Sequence, residues 1–125
     1  MTPEEILAVD VKRNPQGGDI RDLRRFINSY AEIGGHLVQQ GNTLMIFRTE
    51  RGTTAEFHTF NADTPENLIK NVRMLFDLLK KIGYTEAETT YDNPKISQLF
   101  QQGADPDKLT ITKGKSHAYL ARVVL

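Results

Sequence analysis

The feature that most constrains this sequence is the junction at residues 61–67, which joins a strand-like run to a long amphipathic segment. Residues 54–60 are rich in β-forming side chains. Across residues 65–82 apolar side chains recur every three or four positions, which predicts a helix with one buried face. Gly83 is a suitable end for that helix. A strand that leads directly into a helix is typical of α/β proteins, whose ligand sites often lie at such a turn.

The junction also limits what the start of the helix can bind. Thr64 or Asp63 can act as the N-cap, and Pro65 suits the first helical turn. The N–H groups at a helix start attract phosphate. Pro65, however, has no N–H, and Asp63 and Glu66 place negative charge where a diphosphate would sit. The junction therefore predicts a well-capped helix and a poor phosphate site.

The other segments predict an α/β fold with a mixed sheet, in which antiparallel strands are combined with one parallel strand–helix–strand crossover. Residues 14–18 separate two N-terminal helices, and turns at 41–42 and 49–53 make a three-stranded meander. The expected segments are a short first helix capped by Thr2, a helix at 19–32, strands at 36–40, 43–48 and 54–60, the central helix at 65–82, a strand at 84–91, a short helix at 93–102, and a C-terminal hairpin of strands at 109–113 and 118–125.

Bulk composition limits the class of protein. A chain of 125 residues is expected to form a single domain, residues 1–125. Sixteen basic residues balance sixteen acidic ones, so neither nucleic acid nor a membrane surface is an expected partner. The absence of cysteine excludes disulfides, thiolate metal sites and a cysteine nucleophile. There is no apolar run of the ~20 residues needed to span a bilayer and no signal-peptide pattern.

Two local patterns invite a functional interpretation and are better explained by structure. Gly-Lys-Ser at 114–116 matches the end of a P-loop, but Leu109 occupies the position of the first glycine and a strand is expected to follow. A hairpin turn is the prediction. His36, His58 and His117 lack the spacing of metal ligands, so no metal site is expected, and His58 is predicted to be a half-buried strand residue.

Basic side chains form two groups. Those near the N-terminus predict either a solvated helix face or a contact with an acidic partner or nucleic acid. Those on the central helix lie off its apolar face and are expected only to solvate it. The members are Lys12, Arg13, Arg21, Arg24 and Arg25 in the first group, and Lys70, Arg73, Lys80 and Lys81 in the second.

The order of elements resembles that of the GNAT acyltransferase superfamily, which has two N-terminal helices, a meander, a central helix, a further strand and helix, and a closing hairpin. The clearest local match is the stretch around residues 91–100, where Asn93, Ile96 and Leu99 stand where many members have an asparagine, a small or apolar residue and a leucine. The family's following tyrosine is replaced by Phe100, and Gly103 falls one position early for the closing Gly-Phe pair.

The resemblance implies an acyl-CoA site, and the junction departs from that site. Active members usually have a glycine-rich loop before the central helix, because bare backbone lets N–H groups close around the CoA pyrophosphate. Here the corresponding residues have no glycine. The residues at the positions of the cofactor loop are therefore interpreted as vestigial. No bound cofactor is expected, and the alternative is acetyl-CoA. The vestigial positions are Ala62, Asp63, Thr64, Pro65 and Asn93.

The resemblance also implies a missing general acid. The family tyrosine at the position of Phe100 often protonates the departing thiolate, and phenylalanine has no proton to give. A base would have to come from Glu56, His58 or Glu88, and the sequence does not single out one of them. No residue is therefore assigned a catalytic role.

The sequence leaves three functions open. The first, preferred on sequence, is a degenerate GNAT-like protein that is not an enzyme and acts through protein contacts. It resembles small proteins of tailed bacteriophages, which implies a virion or internal core component, virion proteins as partners, and location in the virion or the host cytoplasm. The alternative is an N-acyltransferase that uses acetyl-CoA with an atypical loop. The third is a module that binds another small molecule in the cleft between the central strands.

Overall fold

Four helices and six strands make up the part of the chain that the computed structural model describes, which is residues 1–15, 18–114 and 118–125. In chain order these are α1 (Pro3–Arg13), α2 (Ile20–Glu32), β1 (His36–Gln40), β2 (Thr43–Arg51), β3 (Thr54–Asn61), α3 (Pro65–Ile82), β4 (Glu86–Tyr91), α4 (Pro94–Gly103), β5 (Leu109–Lys113) and β6 (Tyr119–Val124).

The strands form one mixed sheet in the order β1-β2-β3-β4-β6-β5. β1, β2 and β3 pair antiparallel as a meander, and β5 and β6 form an antiparallel hairpin that joins the sheet along β4. Of the strand pairs within the described residues, only β3 and β4 run parallel, and α3 makes the connection between them. The predicted mixed sheet, meander and parallel crossover are confirmed.

The sheet has a hydrophobic core on each face, because successive side chains of a strand point to opposite sides. On one face α1 and α2 pack against alternate residues of β2 and β3. On the other face α3 packs against the residues between them. The first cluster contains Ile6, Leu7, Leu23, Tyr30, Leu44, Ile46 and Phe60, and the second contains Met45, Phe47, Ala55, Phe57, Leu75, Leu79 and Ala87.

Side-chain caps fix where the helices begin. Thr2 and Glu5 form the predicted capping box at α1, in which each side chain accepts the other residue's backbone N–H. Thr64 is the N-cap of α3, and its Oγ1 accepts the N–H of Asn67 at 3.3 Å. α3 spans the residues that the sequence predicts, since the cap, the apolar period and Gly83 all agree.

Several boundaries and exposures differ from the prediction. β2 continues to Arg51, because Arg51 pairs with Thr54 across a β-bulge, so the turn predicted at 49–53 is shorter. Ile82 is the last apolar residue of the period that predicts α3, and it is 55% exposed instead of buried. Phe26, an apolar residue of α2, is 39% exposed and packs on His58.

Two arginines of the basic groups make specific contacts within the protein. Arg73 of α3 donates from Nε and Nη2 to the carbonyl oxygen of Gly103 at 2.9 and 2.8 Å, which ties the end of α4 to α3. Arg13 of α1 donates to the carbonyl oxygens of Asp63, at 2.7 Å, and Ala62, at 3.5 Å. The prediction that Arg73 only solvates its helix is wrong.

In the described residues, none of the helices is both long enough and apolar enough to cross a membrane.

Candidate functional site

The two parallel strands in the middle of the sheet separate part-way along their length. β3 and β4 are paired at three positions, of which Glu56↔Glu88 is the last. β3 continues to Asn61 beside β2, and β4 continues to Tyr91 beside β6. The carboxyl ends of β3 and β4 therefore diverge, and this fork is the place where the described sheet is open between neighbouring strands.

The fork opens into a cleft of about 840 Å³. α3 and α4 line the cleft on one side of the sheet, and α2 lines it on the other. The walls are mostly apolar, and the volume lies in the usual range of small-molecule sites, roughly 300–1,000 Å³. The apolar lining residues include Leu23, Phe26, Phe57, Phe60, Leu68, Ile69, Val72, Phe76, Ile96, Leu99 and Phe100.

Charged side chains give the cleft a negative balance. Among the described residues, five carboxylates line it against three cations, and His58 adds a charge only when protonated. A cleft of this sign favours a cationic ligand over an anionic one. The carboxylates are those of Asp10, Asp22, Asp77, Asp92 and Asp105, and the cations are Arg73, Lys80 and Lys108.

His58 stands at the fork, two residues past the last paired position of β3. Its Nε2 lies 2.9 Å from Oε1 of Glu56, and the same oxygen accepts the Tyr30 hydroxyl at 2.9 Å. The edge of the Phe26 ring packs on the imidazole, with 5.1 Å between ring centroids. The His58 side chain is 19% exposed, which agrees with the predicted half-buried strand position.

Glu56 is held as a carboxylate. Burial raises its pKa, but the interaction with Glu50 and the hydrogen bonds from His58 and Tyr30 outweigh burial and lower the pKa overall. Arg48 Nη2 also contacts Oε2 of Glu56 at 3.2 Å. Because a carboxylate only accepts, the imidazole donates its Nε2–H to Glu56, and the lone pair is on Nδ1. This arrangement leaves His58 with a nitrogen that can accept a proton.

Glu88, another of the candidate bases, has both carboxylate oxygens bound by arginines. Arg51 binds it with two hydrogen bonds, of 2.9 and 3.2 Å, and Arg122 adds one of 3.2 Å. The bonds from Arg51 lower the pKa of Glu88 most, burial opposes them, and Arg122 lowers the pKa further. Among the three bases that the sequence left open, the structure therefore favours His58, with Glu56 as the group that orients it.

Most backbone N–H groups of the junction donate hydrogen bonds within the protein. Between residues 61 and 68, five backbone N–H groups already donate to protein oxygens, and Pro65 has none. The five bonds are Asn61 to Asp10 Oδ1, Ala62 to the Asn42 carbonyl, Asp63 to Asn61 Oδ1, Asn67 to Thr64 Oγ1, and Leu68 to the Thr64 carbonyl.

The structure corrects the position expected for the Asp63 charge. Oδ2 of Asp63 accepts from the Asn42 N–H at 2.9 Å, from Thr43 Oγ1 at 3.0 Å and from Asn71 Nδ2 at 2.9 Å. The carboxylate therefore ties the β1–β2 hairpin to α3, and it does not face outward from the helix start. The side chain that does carry exposed negative charge in the first turn of α3 is Glu66.

Comparison with known proteins gives the fold. No protein-family model matches the sequence, and no curated protein matches it. The solved structure of an IAA acetyltransferase from Bacillus cereus is similar over 99% of this chain and 93% of that chain, with a TM-score of 0.65 and 17% identity. That of the Campylobacter jejuni N-acetyltransferase PseH in complex with acetyl coenzyme A is similar over 99% and 92%, with a TM-score of 0.52 and 15% identity.

A domain from Methanocaldococcus jannaschii is also similar, with a TM-score of 0.53 and 20% identity, and here the match covers 71% of this chain and 63% of that one. The match to the acetyltransferases spans nearly the whole chain and includes the forked strands. The chain has a GNAT-like fold. The expected fold class is thereby confirmed, whereas degeneracy and a phage origin remain predictions.

The GNAT-like cleft and its junction differ in how well they fit an acyl-CoA. The cleft has the volume and apolar walls for an acyl chain with its pantetheine arm. The junction does not fit the diphosphate, because four of its N–H groups are engaged, Pro65 has none and Glu66 adds a negative charge. Among the vestigial positions, Asn93 is the N-cap of α4, with Oδ1 accepting the N–H of Lys95 at 3.0 Å.

Tyr91 is a cleft residue that the sequence analysis did not single out. Its ring stacks on Phe100 with 5.9 Å between centroids, and its hydroxyl lies 2.7 Å from Ser97 Oγ. Tyr91 therefore brings a hydroxyl to a ring that stacks on Phe100. The available signal was that Tyr91 ends the strand immediately before the Asn93 motif.

The other histidines give no metal site among the residues described. No group of three or more His, Cys, Asp or Glu side chains there could hold a metal ion. His36 packs on Phe47 with 5.2 Å between ring centroids. Of the Gly-Lys-Ser turn, Lys115 and Ser116 lie outside the described residues, as does His117.

Proposed function

We propose that this protein is an N-acyltransferase that moves an acyl group from a thioester to an amine. The observation that carries the proposal is the position of the imidazole–carboxylate pair of His58 and Glu56 at the fork, where His58 lines the cleft. The similar solved structures, an IAA acetyltransferase and the N-acetyltransferase PseH with acetyl coenzyme A, support the same class of reaction.

The reaction needs few groups from the protein. The amine nitrogen attacks the thioester carbonyl, so that a C–N bond forms and the C–S bond breaks with its electron pair on sulfur. His58 Nδ1 takes the proton that the nitrogen loses and returns it to the sulfur, and the products are an amide and a free thiol. Glu56 stabilises the imidazolium in between. The acidic cleft favours an amine that enters with a further positive charge.

Release of free thiol tests the proposal. The chain has no cysteine, so a thiol reagent reports turnover without background from the protein. A thioester is supplied with a panel of mono- and polyamines. We expect His58→Gln to lower kcat/KM by about 10²–10⁴-fold, the usual loss on removal of a general base.

His36→Gln is the matched control, because His36 is exposed and packs on Phe47 away from the cleft. It should leave the rate unchanged. An absence of thiol release for every amine and every thioester would contradict an acyltransferase.

A protein-contact role without catalysis is the second candidate. The engaged N–H groups at the junction favour it, since they leave little to grip a diphosphate. The partners would be other proteins, with virion proteins and a location in the virion or host cytoplasm following from the sequence resemblance. Under this candidate an acetyl thioester, with or without its nucleotide, neither turns over nor raises the melting temperature. A bound ligand would stabilise by about 2.7 kcal/mol at a hundredfold excess over its Kd.

A further inference from the structure

We infer that the acyl donor is recognised through its acyl and pantetheine part and not through the nucleotide diphosphate of coenzyme A. The inference rests on the acyltransferase proposed above and specifies its donor. It concerns the junction at residues 61–67. The junction lies at a helix start, where phosphates often bind, but its side chains and engaged N–H groups disfavour phosphate binding.

Most hydrogen bonds of the junction are structural, so a diphosphate that used these donors would have to displace them. Asn61 N–H donates to Asp10 of α1, and Ala62 N–H donates to the Asn42 carbonyl in the β1–β2 turn. The Asp63 carboxylate completes this set by holding the same turn against α3. Using these donors for a ligand would detach α1 and the hairpin from the start of the central helix.

The charges at the junction also disfavour a diphosphate. The cation that is hydrogen-bonded to the junction is Arg13, and it directs two of its N–H groups to the carbonyl oxygens of Asp63 and Ala62. Glu66 projects from the first turn of α3 and is exposed. A diphosphate would approach one exposed carboxylate at the junction and a cleft in which carboxylates outnumber cations.

The fork has the two features that a pantetheine arm needs for binding, unpaired strand edges and apolar walls. Beyond Glu56 and Glu88, the facing edges of β3 and β4 no longer pair with each other. An extended arm that carries amides can bond to such strand edges, while the apolar walls cover its methylene groups. Phe57 and Phe100 line this part of the cleft, with 6.4 Å between their ring centroids. The donor's recognition elements are therefore its amides and its acyl chain.

A donor comparison tests the inference directly. The wild-type protein is assayed with acetyl-CoA and with S-acetylpantetheine, using the same amine and measuring thiol release. We expect the two values of kcat/KM to agree within about tenfold, because a nucleotide without hydrogen-bonded phosphates adds little affinity. A preference for acetyl-CoA above about 100-fold would overturn the inference and leave the acyltransferase intact. Turnover with neither donor would overturn both.

Binding gives a readout that does not depend on turnover. Titration calorimetry with 3′-phospho-ADP, pantetheine and coenzyme A should show similar Kd values for the last two, and no heat of binding for 3′-phospho-ADP. Tight binding of 3′-phospho-ADP would contradict the inference.

A variant that repairs the junction provides the converse test. Pro65→Ala/Glu66→Gln restores one N–H and removes one charge at the start of α3. It should raise the preference for acetyl-CoA by about tenfold, the gain expected from one hydrogen bond to a charged group. Pro106→Ala/Glu32→Gln changes the same residue types at exposed positions elsewhere and should leave the preference unchanged. A repaired variant with an unaltered preference would show that the junction does not control donor choice.

Discussion

At the scale of single residues, the site depends on polar groups that hold one another in fixed roles. Tyr30 and Glu56 are 26 positions apart, the Tyr30 hydroxyl donates to Oε1 of Glu56, and His58 contacts the same carboxylate oxygen. Asp63 is equally committed, with three donors on one oxygen. The two carboxylates therefore have different roles. Glu56, within β3, orients His58, and Asp63, just after β3, fixes the β1–β2 turn.

Glu56 is expected to act through its charge. Glu56→Gln keeps a hydrogen-bonding side chain but cannot stabilise an imidazolium, so kcat should fall by at least about tenfold. The KM of the amine should change little. Tyr30→Phe removes only one donor to Glu56 and should have a smaller effect on kcat. Equal kcat values for Glu56→Gln and the wild type, in thiol-release assays, would argue against the role of the pair.

Asp63 is expected to matter for stability and not for turnover chemistry. Asp63→Ala leaves the Asn42 N–H, Thr43 and Asn71 without their shared acceptor and should cost roughly 2–3 kcal/mol of unfolding free energy. Asp63→Asn retains an acceptor oxygen and should cost less. Urea unfolding measures both, and Glu66→Ala serves as the control at an exposed neighbouring carboxylate.

At the scale of elements, the cleft depends on how closely α4 approaches α3. Gly103 ends α4 against Ile69, and a Cβ built on Gly103 would lie 2.8 Å from Cγ2 of Ile69. Arg73 holds the carbonyl of the same glycine. Two helices that line one wall of the cleft are therefore locked at a distance that only glycine permits.

Gly103→Ala is expected to push α4 outward. The overpacked contact should cost roughly 1–3 kcal/mol and should raise the KM of the acyl donor. Ile69→Ala makes room for the new methyl group, so the double variant should recover part of the loss. The coupling energy from the double-mutant cycle, measured by urea unfolding, tests the contact. Strict additivity of the two single changes would show that the helices do not meet there.

At the scale of the whole molecule, ionised groups connect strands that are far apart in the chain. Glu88 of β4 joins Arg51 at the end of β2 to Arg122 of β6. Its folded pKa lies below the unfolded value of about 4.3. The stability from this group is therefore fully present above that unfolded value and is lost as the pH falls through the lower folded value.

Acid unfolding measures this contribution. Glu88→Gln should lower the unfolding free energy by roughly 1–2 kcal/mol at neutral pH, because part of each arginine is exposed to water. The difference from the wild type should shrink as the pH falls below the unfolded value of about 4.3 and through the lower folded value of Glu88. A difference that stays constant with pH would indicate a packing effect.

Asp10 should show the opposite dependence, since burial raises its pKa. Its ionisation reduces stability as the pH rises from the unfolded value of about 3.9 to the folded one. Asp10→Asn keeps an acceptor for the Asn61 N–H and should be at least as stable as the wild type at neutral pH.

The sequence by itself determined the elements and their order. Caps and apolar period act within a few residues, and they predicted α3 at Pro65–Ile82, the capping box at Thr2 and the meander. The residue types alone also determined that Pro65 has no backbone N–H and that Phe100 has no proton to donate. Ile82 shows the limit of the same pattern, because a helical period does not say where the neighbouring sheet ends.

Only the tertiary structure decided where β3 and β4 separate, which of the three candidate bases is not committed to arginine partners, and which way Asp63 points. Each depends on a partner between 20 and 51 positions away, such as Tyr30 for Glu56, Thr43 for Asp63 and Asp10 for Asn61. Local propensity carries no information on such pairs, because their distances are set by how the layers pack.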